Sequence, residues 1–341
     1  MIYGGDRVHS TFEAPWSTYI SQELLDYDAI TEEPFINADT LVTGSLISPH
    51  HVLTAGHVLS EDMLDNCINH TFAFKPSANM AVSFGGISYD DTSPDKYRVR
   101  RKVSRVYTPK NLFANELPGL LEEAGCPSSN TSDPDEFRNF NDIAILEFDK
   151  PVEYDWLIIP VCLASKRHAD DKKYEYFGYG VSGTFPEELK LGVLKYGSVR
   201  EIPCENASFE FVNETDILCT QHVNNLRASA CEGDSGSAIV SSFDNGRRWQ
   251  AHGIFSRINA DYCRASDMGN EDVVSNMAGA WTSVYDHRHF ICSATGICVG
   301  DAEDLGESAY RVDTLVTLEK LKEIYQNELS KWYQKRNETA D

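Results

Sequence analysis

Residues 230–240 read ACEGDSGSAIV and place two acidic residues, two serines and two glycines between a cysteine and a short apolar run. Glycine, aspartate and serine are also the usual residues of turns, so this stretch alone leaves two interpretations open. Ser235 is either a nucleophile in an oxyanion-binding turn or part of a polar bend between two strands. The rest of the chain decides between them.

The sequence around this turn alternates short apolar runs with turn residues, which is typical of an all-β chain. Residues 40–58 (TLVTGSLISPHHVLTAGHV) predict a β-hairpin. Further strands are predicted in the segments MAVSFGGISY, YRVRRKVSRVYT, NDIAILEFDKPV, GVLKYGSVREI, DILCT, GSAIVSS, WQAHGIFSRI and AGAWTSVY. Many short strands at this spacing indicate an antiparallel sandwich or barrel.

Two segments interrupt this pattern, and the end of the chain departs from it. Residues 111–141 are polar, acidic and proline-containing, and we predict a surface insertion there, with a smaller one at 22–39. In the tail, apolar residues recur at three- and four-residue steps, which predicts an amphipathic helix: Leu318, Leu321, Tyr325, Leu329 and Trp332. Packing onto the protein's own body is favoured over binding of a partner, and both remain open.

The bulk composition excludes several function classes. The 341 residues, enough for one large or two medium domains, include 30 basic and 53 acidic ones, giving a formal charge of -23. This charge repels a phosphate backbone and an anionic membrane surface, so neither nucleic acid nor membrane is expected as a partner. No apolar run approaches the roughly 20 residues that span a bilayer.

The cysteines and glycosylation sequons indicate secretion. Nine cysteines lie along the chain without the close C-x-x-C pairs of a zinc site, which favours disulfides and an oxidising compartment. Five N-x-S/T sequons are possible glycan acceptors, at Asn69, Asn130, Asn206, Asn213 and Asn337. Because no signal peptide pattern precedes them, we interpret the N-terminus as incomplete or processed.

Three motifs together provide the groups for acyl transfer by a serine. LTAGHV supplies His57 at the end of a strand, NDIAIL supplies Asp142 at the head of an apolar strand, and CEGDSGS supplies Ser235. Gly233 can present its backbone N–H to an oxyanion without a side chain in the way. Each motif alone is more often structural, but their joint occurrence favours catalysis. The mechanism needs no cofactor, and the acidic residues form no recognisable calcium-ligand loop or other metal site.

The order of these motifs and the residues in them resemble the trypsin and chymotrypsin family of serine proteases, over about residues 2–291. The resemblance implies that His57 is the general base, Asp142 its orienting carboxylate and Ser235 the nucleophile. It also implies that the N–H groups of Gly233 and Ser235 bind the oxyanion. The implied fold is two six-stranded antiparallel β-barrels with the active site between them.

This resemblance divides the chain into four parts. We expect an N-terminal barrel carrying His57 and Asp142, a linker, a C-terminal barrel carrying Ser235, and a helical tail. The corresponding ranges are 1–150, 151–173, 174–299 and 300–341.

The start of the chain resembles the segment that this family releases on activation. IYGG at residues 2–5 is similar to the family's I-V-G-G. The resemblance implies that a freed Ile2 amine pairs with Asp234 and shapes the oxyanion turn, so that an activating protease switches the enzyme on. While Met1 is attached, Ile2 has no free amine. Methionine removal before isoleucine is not expected, so we interpret Met1 as replacing a lost pro-segment.

The cysteines match family positions in part. The resemblance pairs Cys231 with Cys263 and Cys204 with Cys219, and it gives Cys162 to a pro-segment upstream. The pairing of Cys67 with Cys126 and of Cys292 with Cys298 is one of three connectivities that remain open.

The pocket positions depart from the trypsin-like pattern. Ser229 stands at the pocket base, where family members that cut after Arg or Lys have aspartate. Without that carboxylate a buried substrate cation would be unpaired. On the wall, GIFSRI supplies Ser256, Arg257 and Ile258, and Ile258 at the mouth should exclude large aromatic side chains, although Gly279 leaves the opposite wall open. We predict preference for small or medium uncharged residues, or no efficient cleavage.

Other departures leave the catalytic groups intact. Val42 and Val58 replace the disulfide that usually clamps the histidine loop and can pack as an apolar pair. Gly56 precedes the histidine, and Ser237 and Ala238 replace the usual glycine and proline after the nucleophile.

Two alternative functions were considered. The unusual pocket, acidic insertion and added helix leave open a catalytically silent module that binds a protein partner. A generic β-sandwich adhesion domain would require all three motifs to be accidental.

Overall fold

The computed structural model describes most of both halves of the chain, over residues 6–8, 11–27, 34–59, 64–67, 73–76, 79–88, 98–109, 142–180, 192–207, 209, 215–223, 230–231, 233–243, 248–259 and 277–299. These residues form two β-sheets, in which nearly every strand pair is antiparallel, and one α-helix. Within the described ranges, no helix is both long enough and apolar enough to cross a membrane.

The first sheet is built from the N-terminal half. Its strands are β2 (Ser17–Tyr27), β3 (Pro34–Ser48), β4 (His51–Thr54), β5 (Leu64–Cys67), β6 (Ala73–Pro76), β7 (Asn79–Phe84), β8 (Val99–Lys102), β9 (Arg105–Tyr107) and β10 (Ala144–Glu147). They pair in the order β5-β6-β9-β10-β4-β3-β2-β7-β8.

A bend between β8 and β9 closes this sheet into a barrel. The N–H of Val103 donates to the Met80 carbonyl on β7 (2.9 Å), and the N–H of Ser104 donates to the Glu147 carbonyl on β10 (2.8 Å). Because β8 and β9 form one bent run between β7 and β10, the barrel has six strands, and β5 and β6 add a hairpin at its edge.

The second sheet closes through an extra pairing. It contains β1 (Asp6–Arg7), β11 (Cys162–Leu163), β12 (Lys173–Gly178), β13 (Lys195–Ile202), β14 (Ile217–His222), β15 (Ala238–Phe243), β16 (Arg248–Ile258) and β17 (Ala278–Ser283). The order is β1-β13-β12-β15-β16-β17-β14, and β14 also pairs with β13, so β12 to β17 form a closed ring of six. Two six-stranded barrels are therefore confirmed.

Strand β1 joins the C-terminal barrel although it lies near the start of the chain, where it pairs with β13. The bounds predicted for the domains and linker stay a prediction.

The predicted strands are found, but two central strands, β2 and β12, were missed. The hairpin at residues 40–58 is formed by β3 and β4. Strand β12 was not predicted, although its sequence KYEYFG alternates polar residues with buried Tyr174 and Tyr176. Alternating aromatic residues are typical of a half-buried strand, so the signal was present.

The two predicted insertions and the predicted helical tail have different outcomes. Residues 22–39 are not a simple loop, since β2 continues to Tyr27 and β3 begins at Pro34, so the described flanks are the outer end of a long hairpin. The insertion at 111–141 and the tail at 300–341 lie outside the described residues. A short helix that was not predicted, α1 (Arg288–Thr295), follows β17 and ends at Gly296, whose φ of 74° suits glycine.

Two predicted disulfides are present. Cys204 bonds to Cys219, and Cys292 bonds to Cys298, which selects one of the connectivities left open. Cys231 is also disulfide-bonded, but its predicted partner Cys263 lies outside the described residues, as do Cys126 and the side chain of Cys67. Among the cysteines that the structure describes, Cys162 is free and exposed.

Candidate active site

The pairing of β4 with β10 brings two of the predicted site residues to one edge of the N-terminal barrel. Thr54 at the end of β4 lies opposite Ala144 at the start of β10. His57 follows β4 and Asp142 precedes β10, so the antiparallel register places them side by side although they are far apart in sequence.

Asp142 holds both the backbone and the ring of His57. Its Oδ1 accepts the His57 backbone N–H at 2.7 Å, and its Oδ2 lies 2.8 Å from His57 Nδ1. The carboxylate is fully buried. Burial raises the pKa of Asp142, but the hydrogen bonds and charge of His57 and the hydroxyl of Ser256 outweigh it, so the pKa lies below its ordinary value. Asp142 is therefore ionised at neutral pH.

The other nitrogen of His57 faces Ser235. The distance from His57 Nε2 to Ser235 Oγ is 2.9 Å. Because an ionised carboxylate only accepts, the proton of a neutral ring lies on Nδ1 and the lone pair of Nε2 points at the serine hydroxyl. Partial burial lowers the pKa of His57, as does the charge of Arg257, but the hydrogen bond and charge of Asp142 raise it above its ordinary value. The geometry is that of a nucleophile and its general base.

Ser256 adds a third donor to Asp142, a contact that the sequence did not predict. Its hydroxyl donates to Asp142 Oδ2 at 2.5 Å. The sequence placed Ser256 on the pocket wall, whereas its side chain contacts the buried carboxylate. Ser256 lies on β16 of the opposite barrel, so no local sequence signal could have revealed this contact.

The turn around Ser235 requires glycine at two positions. Gly233 and Gly236 have φ angles of 87° and 84°, which side chains rarely adopt. A Cβ at Gly236 would lie 2.1 Å from Thr54 Oγ1 and 2.3 Å from the Thr43 carbonyl oxygen. The G-D-S-G segment is thus a tightly packed turn between the two barrels.

Asp234 lies beneath this turn and is fully buried. Its Oδ1 accepts the Gly180 N–H and its Oδ2 accepts the Cys231 N–H, both at 2.9 Å. A Cβ at Gly178 would come within 2.1 Å of Oδ1, so glycine is required there as well. The predicted partner Ile2 lies outside the described residues.

Comparison with known families agrees with this arrangement. A model of the trypsin family, described as Trypsin, matches residues 29–268, more than half of the chain. The chain belongs to the trypsin family.

Individual trypsin-family relatives are distant. The chain is 24% identical over 255 residues to the Spaetzle-processing enzyme of Drosophila melanogaster, 28% over 163 residues to transmembrane protease serine 11C of Mus musculus, and 26% over 226 residues to chymotrypsin-C of Rattus norvegicus. The matches cover 72%, 46% and 64% of this chain. They cover 56%, 34% and 68% of those proteins, so the chain spans only part of each.

Two residues predicted for the trypsin-family substrate pocket line one cavity. Ile258 and Gly279 border a space of about 240 Å³, counting its open mouth. Ser229, the predicted pocket base, lies outside the described residues. The described lining carries no charged side chain and consists of Tyr176, Val199, Thr220, Gln221, Ala230, Ile258, Met277, Gly279 and Trp281.

Aromatic rings occupy one side of this cavity. Trp281 packs against Phe255 and Tyr176, with ring centroids 4.9 and 5.4 Å apart, and its indole N–H donates to Thr220 Oγ1 at 2.7 Å. These contacts hold the indole in place, so it forms a fixed and largely apolar wall on this side of the cavity.

Arg257, the third predicted wall residue, lies at the end of β16 with its guanidinium carbon 6.0 Å from the ring centroid of Phe209. Its charge lowers the pKa of His57, although Asp142 outweighs that effect.

Proposed function

We propose that this chain is a serine endopeptidase that hydrolyses peptide bonds through an acyl-enzyme. The observation that supports it best is the hydrogen-bonded series Asp142, His57 and Ser235, with separations of 2.8 and 2.9 Å, in a member of the trypsin family. The acid at one end is fully buried, and the serine at the other end is partly exposed.

The first chemical step transfers the peptide's acyl group to Ser235. The hydroxyl oxygen attacks the carbonyl carbon while His57 Nε2 takes its proton, and Asp142 stabilises the imidazolium that forms. The negative charge on the carbonyl oxygen is stabilised by the N–H groups of Gly233 and Ser235. His57 then gives the proton to the leaving amine, and a water molecule hydrolyses the ester by the same route in reverse.

We further propose that proteolysis activates the enzyme through Ile2 and Asp234. A buried carboxylate is costly unless cations or hydrogen bonds stabilise it, and Asp234 is fully buried with two backbone donors. A freed Ile2 amine would place a cation beside this carboxylate. An activating protease is therefore a proposed partner.

Labelling with an organophosphonate tests both proposals. We expect the chain that begins at Ile2 to be labelled on Ser235 and the chain that retains Met1 to react at least about 100-fold more slowly, because an unformed oxyanion turn removes stabilisation of the transition state. Mass spectrometry of the labelled peptide gives the site and the rate. Equal labelling of both forms would contradict the activation proposal, whereas no labelling of either would favour the silent binding module.

Substrate preference follows from the cavity. We propose that small or medium uncharged residues fit before the scissile bond, since the space that Trp281 and Ile258 border is only about 240 Å³ and the described lining carries no charge. For peptides that differ only at this residue, we expect alanine or valine to give a kcat/KM about 100-fold above arginine. As a matched variant, Ile258→Gly should speed cleavage after phenylalanine about tenfold. Efficient cleavage after arginine by the unaltered enzyme would overturn this preference.

We propose that the protein is a secreted glycoprotein and a zymogen. Disulfides at Cys204–Cys219 and Cys292–Cys298 suit an oxidising compartment. Asn206, one of the five sequons, is exposed and could accept a glycan. The free, exposed thiol of Cys162 could tether a pro-segment after the activating cut.

A further inference from the structure

Thr43 on β3 makes three hydrogen bonds to the opposite barrel, and two of them go to the nucleophile turn. Its backbone N–H donates to the carbonyl of Ser235 at 3.0 Å. Its hydroxyl donates to the carbonyl of Gly233 at 2.9 Å and accepts the N–H of Tyr179 at 3.0 Å. Thr43 is fully buried, so water does not compete for these contacts.

The direction of these hydrogen bonds is fixed by their chemistry. A threonine hydroxyl has one proton and can accept as well as donate. Because the Tyr179 N–H occupies an acceptor position of Oγ1, the hydroxyl proton is free to point at the Gly233 carbonyl. The carbonyl of Thr43 is also held, since it accepts the Thr54 hydroxyl at 2.9 Å. Thr43 is therefore anchored on the side of its own barrel.

The two carbonyls that Thr43 holds belong to the residues whose N–H groups are the proposed oxyanion donors. Gly233 has a φ of 87° and, as glycine, has the widest choice of backbone conformations. The N–H of Gly233 belongs to the peptide before this residue, and its carbonyl belongs to the peptide after it. A hydrogen bond to the carbonyl fixes the second peptide from outside the turn, so the first can reorient only through the φ and ψ angles of Gly233. The Thr43 N–H fixes the peptide after Ser235 in the same way.

We propose that Thr43 is a positioning residue for the oxyanion-binding turn, and that its hydroxyl fixes the orientation of Gly233. This inference rests on the proposed peptidase function for its kinetic consequence, but not for the contact itself. Thr43 acts independently of Ile2, because it holds the carbonyl side of the turn whereas the Ile2 amine is proposed to act on the Asp234 carboxylate. The N-terminal barrel thus contributes to oxyanion binding as well as supplying His57 and Asp142.

Three variants of the full chain beginning at Ile2 test the proposal. Thr43→Val keeps the size of the side chain and removes the hydroxyl, whereas Thr43→Ser retains the hydroxyl. Thr18→Val is the matched control, because Thr18 is a buried threonine of the same barrel whose Oγ has no hydrogen-bond partner among the described residues.

Hydrogen–deuterium exchange of the peptide that covers residues 233–237 measures the contact without requiring catalysis. We expect exchange about tenfold faster in Thr43→Val and near the unaltered rate in Thr43→Ser and Thr18→Val, because only the first loses the hydrogen bond that restrains the turn. Equal exchange in all four proteins would overturn the proposal.

Steady-state kinetics on a short peptide ester measures the consequence. We expect Thr43→Val to lower kcat about 10- to 100-fold with KM changed less than about threefold, because the oxyanion forms only in the transition state. Thr43→Ser should restore most of the rate. An unchanged kcat, or an equal loss in Thr18→Val, would refute the role. If the unaltered protein shows no turnover but its exchange pattern follows the expectation, the peptidase proposal fails and the contact stands.

Discussion

We expect the Ser235→Ala substitution to lower kcat for a peptide substrate about a millionfold while leaving the folded structure unchanged. The hydroxyl of Ser235 contacts His57 Nε2, whereas its backbone carbonyl accepts the Thr43 N–H. Removing the hydroxyl therefore abolishes the nucleophile but retains the contact that holds the turn. Initial rates by mass spectrometry and thermal unfolding of the same preparation measure both effects.

Ser237→Ala is the matched control for this substitution. Ser237 lies in the same turn, is fully buried, and its hydroxyl has no hydrogen-bond partner among the described residues. Its loss should change kcat by less than about fivefold. Residual activity of Ser235→Ala above about one part in a thousand of the unaltered rate would mean that another group is the nucleophile.

We expect Asp142→Asn to lower kcat about ten-thousandfold at neutral pH. The carboxylate accepts three hydrogen bonds, from the backbone and ring of His57 and from the hydroxyl of Ser256. An amide has only one acceptor oxygen, so its NH2 group would face a donor. This contact between two donors is avoided when the ring of His57 takes its other tautomer, with the proton on Nε2. In that tautomer Nε2 can no longer accept the proton of Ser235.

The pH profile separates this mechanism from simple unfolding. Catalysis requires neutral His57, so kcat/KM falls as the pH drops below the pKa of that ring. Burial lowers this pKa, but Asp142 raises it above its ordinary value. The Asn variant lacks the charge that raises it, so the acidic limb of its residual activity should move to lower pH. An unmoved limb would contradict the proposed pairing.

A second buried aspartate–histidine pair provides the control. Asp216 Oδ2 lies 2.9 Å from His287 Nε2, and both residues are buried in the C-terminal half. Asp216→Asn should lower the melting temperature, because a buried side-chain hydrogen bond is disrupted, without a loss of kcat beyond about threefold. If it inactivates the protein as strongly as Asp142→Asn, the loss reflects folding and not catalysis.

The sequence predicted the barrels because their strands have strong local signals. Strand β10 reads AILE and its apolar residues are fully buried, so burial on both faces appeared directly as a continuous apolar run. The motifs around His57, Asp142 and Ser235 were also local, since each places one reactive group beside strand or turn residues. Of the strands that were missed, β12 had an equally local signal in Tyr174 and Tyr176.

Contacts across the barrels could not be predicted in the same way. Ser256 and Asp142 are 114 positions apart, and Thr43 and Gly233 are 190 apart. The local sequence around a serine or threonine in a strand is the same whether its hydroxyl is solvated, unpaired or bound to a catalytic group. Only the packing of β3 and β16 against the opposite barrel decides which of these it is.

The sequence by itself thus determined which residues can form strands, which can supply acid, base and nucleophile, and which turns need glycine. These are properties of side chains and of short backbone segments, and they need no distant partner. The tertiary structure alone decided that Ser256 and Thr43 hold Asp142 and Gly233, and that Trp281 bounds the cavity. Those contacts depend on the register and closure of two barrels, where small shifts in packing bring a hydrogen-bond partner within reach or move it away.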